Sequence, residues 1–308
     1  MIVRKTLKLS IVINNAKEFI AFMILVSSGV LYMHAFYHAK QPKIPFAFVA
    51  ALGTALAIFL AFRNNSSYDR WWEARKIWGG IVNQSRTWAR QVMNLMDPGV
   101  RSGSELVEMQ RIMIYRHLAW INALRLQLRK QTTWEEIDPF LSNPEFIWLM
   151  ERQNKATHLI NAQGGELRMA RDQGMIDGFR WTQMDSTLTE LYNLQGMCER
   201  IKNTHLPRQY DYFPRLFLYL FVVILPFGMI EELHKVDSEF MLIPLATAIA
   251  FVFYVLMKIG EFNEDPFENR ITDTPMTALC RTIEIDLREM LGETDLPPKK
   301  EPVDGFLF

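Results

Sequence analysis

Eighteen consecutive residues without a charge, Pro45 to Phe62, followed at once by Arg63, constrain this chain more than any other stretch. As a helix rising ~1.5 Å per residue they extend about 27 Å, close to a bilayer hydrocarbon core of about 30 Å. A buried helix in a water-soluble protein would also satisfy this one stretch. Three further windows almost free of charge, Phe19–Tyr37, Leu216–Ile230 and Phe240–Met257, turn the reading towards a membrane. The long stretch between the second and third spans is rich in Arg, Glu, Asp and Gln.

The expected fold class is therefore an all-α membrane protein with four transmembrane helices and a large helical insert. The boundaries read as 1–62 for an N-terminal segment and two spans, 63–211 for the insert, 212–260 for two more spans, and 261–308 for a tail. Basic residues near span ends favour the cytoplasmic side. Arg4, Lys5, Lys8 and Lys17 flank the first span, and Arg63, Arg70, Arg75 and Lys76 follow the second. The outer turns offer only Lys40, Lys43 and Lys235. Both termini and the insert are accordingly expected on the cytoplasmic side. Residues 1–17 are expected to lie on the membrane surface or pack on the insert.

Within the insert, Trp71, Ala74, Trp78, Ile81, Ser85, Trp88, Val92 and Leu95 alternate spacings of three and four, one apolar stripe on a helix. That helix either starts at a Ser66 or Ser67 cap or continues the second span unbroken, and Asp97-Pro98-Gly99 ends it. A second helix is expected from about Ser104 to Arg129, and shorter ones over 134–162. Gly164-Gly165, Gly174 and Gly178 bracket a polar connection, and a long helix covers about Trp181–Lys202. A last amphipathic helix runs from Pro275 to about Met290. The short turn at His38–Lys43 predicts that the second span returns antiparallel to the first.

Several function classes drop out. The 34 basic and 34 acidic side chains cancel, which argues against a nucleic-acid binder. Cys198 and Cys280 stand far apart without metal-ligand spacing and read as structural thiols. No nucleophile elbow, phosphate-binding loop, zinc-protease helix or dinucleotide fingerprint occurs, so nothing supports an enzyme or a cofactor. His34 and His38, four apart at a membrane edge, read as an interfacial pair rather than a metal site. No charge lies inside a span and the halves do not resemble each other, unlike a transporter. Four spans are also thin walling for a pore, so a passage shared between identical subunits is the better physical solution. Ala50, Thr54, Ile58 and Phe62 recur every four residues on one face of the second span. Such a face either lines a narrow apolar constriction or packs on neighbouring helices.

The run Phe62-Arg63-Asn64-Asn65-Ser66-Ser67-Tyr68-Asp69-Arg70-Trp71-Trp72-Glu73-Ala74-Arg75 closely resembles the bacterial branch of the bestrophin channel family. Arg116-His117-Leu118-Ala119-Trp120 and the tail Leu279–Leu287 resemble it as well. The resemblance implies a homopentamer around one axial pore in the lipid bilayer, passing monovalent ions. It implies a hydrophobic neck on the second span whose positions here are Thr54, Ile58 and Phe62, with Thr54 making the outer neck wetter. It implies a cytosolic constriction formed by an isoleucine, for which Ile176 is the candidate. Animal members bind calcium after the fourth span, where this chain reads Glu264-Asp265-Pro266-Phe267-Glu268-Asn269-Arg270. Pro, Phe and Arg interrupt the six to eight close oxygens that calcium wants, so no calcium clasp is expected. Apolar rings carry no sign, and the reading leans towards cations such as sodium. The alternatives are a chloride or anion channel and a membrane-anchored helical adaptor.

Overall fold

The computed structural model describes residues 1–4, 9–37, 44–99 and 102–308, without the side chains of 9–11. The turn at 38–43 and the flanking Lys5 and Lys8 lie outside them. Among the described residues the secondary structure is helical, apart from isolated bridges that pair Ile2 and Val303 with Phe306. The chain divides into two compact units.

The spanning unit comprises Arg4–Arg70 and His205–Asp265. It contains α1 (Leu9–Tyr37), the first half of α2 (Phe46–Leu95), α7 (Gln209–His234) and α8 (Leu242–Glu264). All four helices are long and apolar enough to cross a membrane. α1 packs on α8 and α7, and α7 on α8. Val49, Leu56 and Leu60 of α2 join Phe221, Val222 and Leu225 of α7 in the buried core. Pro226 sits inside α7 without ending it, as spanning helices permit where neighbours satisfy the freed backbone.

The insert unit comprises Met1–Val3, Trp71–Thr204 and Pro266–Phe308. α2 enters it without a break, so the second of the two sequence alternatives holds. The stripe is buried as its spacing requires: Trp78, Ile81, Ser85, Trp88 and Val92 have no exposed surface. α3 (Gly103–Leu128) starts at Ser102, whose hydroxyl accepts the Glu105 N–H while the Glu105 carboxylate accepts the Ser102 N–H. This reciprocal cap satisfies two donors that a helix start leaves open. A 3-10 turn (Trp134–Phe140), α4 (Asn143–Met150), α5 (Lys155–Asp172), α6 (Gly178–Asn203) and α9 (Met276–Met290) complete the unit.

One expectation fails in α5. Gly164-Gly165 do not open a polar connection; they lie inside the helix, which runs on to Asp172. Two interior glycines cost about 1 kcal/mol each relative to alanine. Leu159, Ile160, Leu167 and Ala170 bury one face of α5 and offset that cost. The true stop is Gly174, whose φ of +70° suits a residue without Cβ.

Candidate functional site

α2 presents two contrasting faces in the spanning unit. Val49, Gly53, Leu56, Leu60, Arg63 and Ser67 are buried, an ordinary packing stripe. At ~100° per residue, Thr54 and Ile58 lie about 160° to either side of Leu56, opposite that stripe. Both are exposed, Ile58 by 52%, and so is Phe62, by 64%. The Thr54 hydroxyl donates to the Ala50 carbonyl (2.9 Å), which occupies its proton within the helix. The same face carries Ala47, Ala50, Ala51, Ala55 and Ala61, all exposed. It is therefore narrow, whereas the exposed parts of α1 and α7 carry Leu25, Phe36, Phe213 and Leu220. Towards its C-terminal end, Phe59 and Phe62 of α2 and Tyr210, Phe213 and Phe217 of α7 line an open apolar groove of about 750 Å³.

A charged cluster closes this end of the unit. The Arg63 side chain is 1% exposed and donates to the Met257 carbonyl (3.2 Å), to Asp211 and to Glu264. Arg215 pairs with Asp211 and Glu261, both at 3.0 Å, and Lys258 pairs with Glu261 at 2.6 Å. Three cations thus meet three carboxylates, which lets a buried guanidinium persist beside apolar helices. Arg70 Nε donates to the Glu264 carbonyl (2.9 Å). Asn64 Nδ2 donates to the Leu256 carbonyl (3.0 Å), and a methyl group at Gly260 would overlap its Oδ1. α2 and α8 are pinned together here. The sequence marked Arg63 and Arg70 by their motif, but their partners, some 140 to 200 residues away, carry no local signal.

The other motif residues are placed as follows. Asp69 is exposed on α2, seven residues after Phe62 and so nearly in line with it. Trp71 donates its indole N–H to the Thr272 carbonyl (2.9 Å), Trp72 is 45% exposed, and Glu73 pairs with Arg200. Arg75 is half-buried.

In the insert unit the second motif serves packing. Arg116 pairs with Glu145 and Glu166, and Trp120 donates to Gln195 Oε1 (3.0 Å). Ser85 commits its hydroxyl proton to the Ile81 carbonyl (2.7 Å), so His117 Nε2–H is the donor in their 2.8 Å contact. Full burial holds the His117 pKa down at about 3, leaving the ring neutral. In the tail motif, Cys280 faces the Ile121 carbonyl, and burial pushes its thiol up to about 12. Both cysteines are buried and free, a packing environment rather than a reactive one.

Ile176 is the residue the sequence offers for the cytosolic constriction. Its side chain is 3% exposed and belongs to the insert core. A residue lining a water-filled constriction must reach solvent, and a single subunit does not present this one. Phe179, three residues on in the first turn of α6, is 91% exposed. Sequence reasoning passed over it because the resemblance directed attention to an isoleucine. In the acidic run after α8, Glu264 faces Arg63 and Glu268 pairs with Lys202.

A family model described as "Bacterial/Fungal Bestrophin protein" matches residues 3–289. A "Voltage-dependent anion channel-forming protein" of Salmonella typhi is 31% identical over 278 residues, 90% of this chain and 87% of the relative. A protein of the same description from Mesorhizobium japonicum is 34% identical over 266 residues, covering 86% and 79%. Among solved structures, a variant of a bacterial bestrophin homolog from Klebsiella pneumoniae superposes with a TM-score of 0.81 at 28% identity, covering 89% of this chain and 98% of that one.

Proposed function

The chain belongs to the bacterial/fungal bestrophin family, whose members are ion channels of membranes rather than enzymes, and from that premise we propose that identical copies form a pentameric channel. Its axis is lined by the narrow face of α2, with Thr54, Ile58 and Phe62 as the neck. One observation carries this reading. An apolar helix keeps a face of alanines, Thr54 and Ile58 exposed, opposite its packing stripe, while the exposed parts of α1 and α7 carry bulky side chains such as Leu25, Phe36, Phe213 and Leu220. Small side chains let neighbouring copies approach closely, and bulky ones suit contact with lipid chains. Apolar rings at Ile58 and Phe62 then gate by dewetting. At the insert end, Phe179 replaces Ile176 as the apolar side chain offered to the passage. Both termini and the insert lie in the cytoplasm of the inner membrane.

The permeant ions are monovalent anions. The sodium preference expected from the sequence gives way, because related proteins carry an anion-channel description and an apolar neck opposes neither sign. A cation reading has one observation in its favour, the exposed Asp69 one and a half to two turns below Phe62, where a ring of carboxylates would attract cations. Purified protein in planar bilayers under a sodium chloride gradient tests both. A reversal potential near the chloride value supports the anion channel. A value near that of sodium, abolished by Asp69→Asn, supports the cation channel. Absence of current in wild type and in Ile58→Ala sinks conduction and leaves a helical adaptor.

A further inference from the structure

His34 sits at the C-terminal end of α1, and His38, read from the sequence as its interfacial partner, lies outside the described residues. The His34 ring meets His234, in the last turn of α7, with centroids 5.0 Å apart and planes inclined by 68°. His234 Nδ1 is 2.5 Å from an oxygen of Glu239, in the 3-10 turn Glu239–Met241 that precedes α8. One candidate donor atom from each of the three residues lies within 4.8 Å of the others. Three separate elements of the spanning unit thus send metal-ligating atoms to one point.

From this convergence we infer that His34, His234 and Glu239 form a binding site for a divalent transition metal, with zinc as the best match. Two imidazole nitrogens and one carboxylate oxygen are the donor set that borderline-soft zinc accepts, at bonds of roughly 2.0–2.2 Å. Calcium and magnesium, which want oxygen ligands, fit poorly. Tetrahedral bonds of that length place ligand atoms about 3.3 Å apart, so closing from 4.8 Å asks only for small side-chain rotations. The inclined rings, unlike stacked ones, let both imidazoles aim a nitrogen at a common point. Burial is graded as an open site requires. His34 is 4% exposed and forms the floor, while the His234 and Glu239 side chains keep 47% and 29% of their surface. The fourth position faces solvent and takes water. A bound ion would tie the end of α1 to the α7–α8 turn. The inference does not depend on conduction.

The test is isothermal titration of chelator-treated, full-length protein in detergent with zinc chloride, alongside the visible absorption of the cobalt-loaded protein. Wild type should bind one ion per chain, with a cobalt spectrum of tetrahedral type. His234→Ala and Glu239→Gln alter exposed side chains and keep the fold, and each should weaken that site by at least ~100-fold. His34→Ala should do the same where it folds. His205→Ala, an exposed histidine far along the chain, should leave binding unchanged. Wild type without a site overturns the proposal. So does a site that survives both His234→Ala and Glu239→Gln, or one that His205→Ala removes.

Discussion

In the insert unit three tryptophans point inward: Trp78, Trp88 and Trp120 are at most 1% exposed. In the spanning unit Phe36, Phe48 and Phe62 point outward, exposed by 64 to 70%. Aromatic side chains in the two units are therefore held by different forces. Water expels the tryptophans, at ~25 cal/mol per Å² of apolar surface. Lipid chains are as apolar as leucine and expel nothing, so the spanning helices depend on close packing and on their polar contacts. A truncated aromatic should thus be costly in one unit and nearly free at an exposed position of the other.

The sharpest break of that contrast is Trp88→Ala, which should destabilise the insert unit by about 3–5 kcal/mol, read as a shift in chemical denaturation followed by tryptophan fluorescence. A loss below ~1 kcal/mol would show that this core is not close-packed. Arg63→Leu asks whether charge matters as much in the spanning unit. It leaves Asp211 and Glu264 without their shared cation and should cost about 3 kcal/mol, read as faster proteolysis near α7 and α8. A neutral result would place the holding force in apolar packing alone.

The third prediction concerns pH. His117 has a folded pKa of about 3 against an ordinary value of 6.5, so below 6.5 the unfolded chain takes up a proton that the folded chain refuses. The contribution of the neutral ring is full above pH 6.5 and falls by ~1.4 kcal/mol per unit as pH drops towards 3. Denaturation midpoints of wild type and His117→Gln between pH 7 and 5 should converge as acidity rises. Parallel curves would refute the assignment. The smallest change in stability is expected for Ile58→Ala, less than ~1 kcal/mol at a half-exposed position. Its effect should fall on ion flux, and a large loss of stability with unaltered flux would return Ile58 to packing.

Most of the architecture was legible because both periodicities are strong. Charge-free windows marked the spans, and the three-four spacing of Trp71 to Val92 marked the buried face of α2. The Gly164-Gly165 pair misled because local propensity is weak against the buried face of Leu159, Ile160 and Leu167. For the site, the small exposed face of α2 was visible as a four-residue recurrence, yet every face of that helix is apolar, so only packing separates inside from outside. Ile176 and Phe179 could not be told apart, since two apolar residues three positions apart differ only in what folds over them. The His34–His234–Glu239 cluster spans some two hundred residues and has no sequence signature at all.

The contact of Asn64 with Leu256 and Gly260 has a consequence for how this helix can vary. It fixes one point of α2 against α8, and the six-residue interval back to Ile58 then works as a gear setting. Exchanging a side chain within the interval alters chemistry but leaves the heading of Thr54, Ile58 and Phe62 intact. Deleting one residue between Ile58 and Phe62 swings Thr54 and Ile58 through about 100° and shifts them by about 1.5 Å, while Phe62 keeps its heading. In this stretch, number is less forgiving than identity.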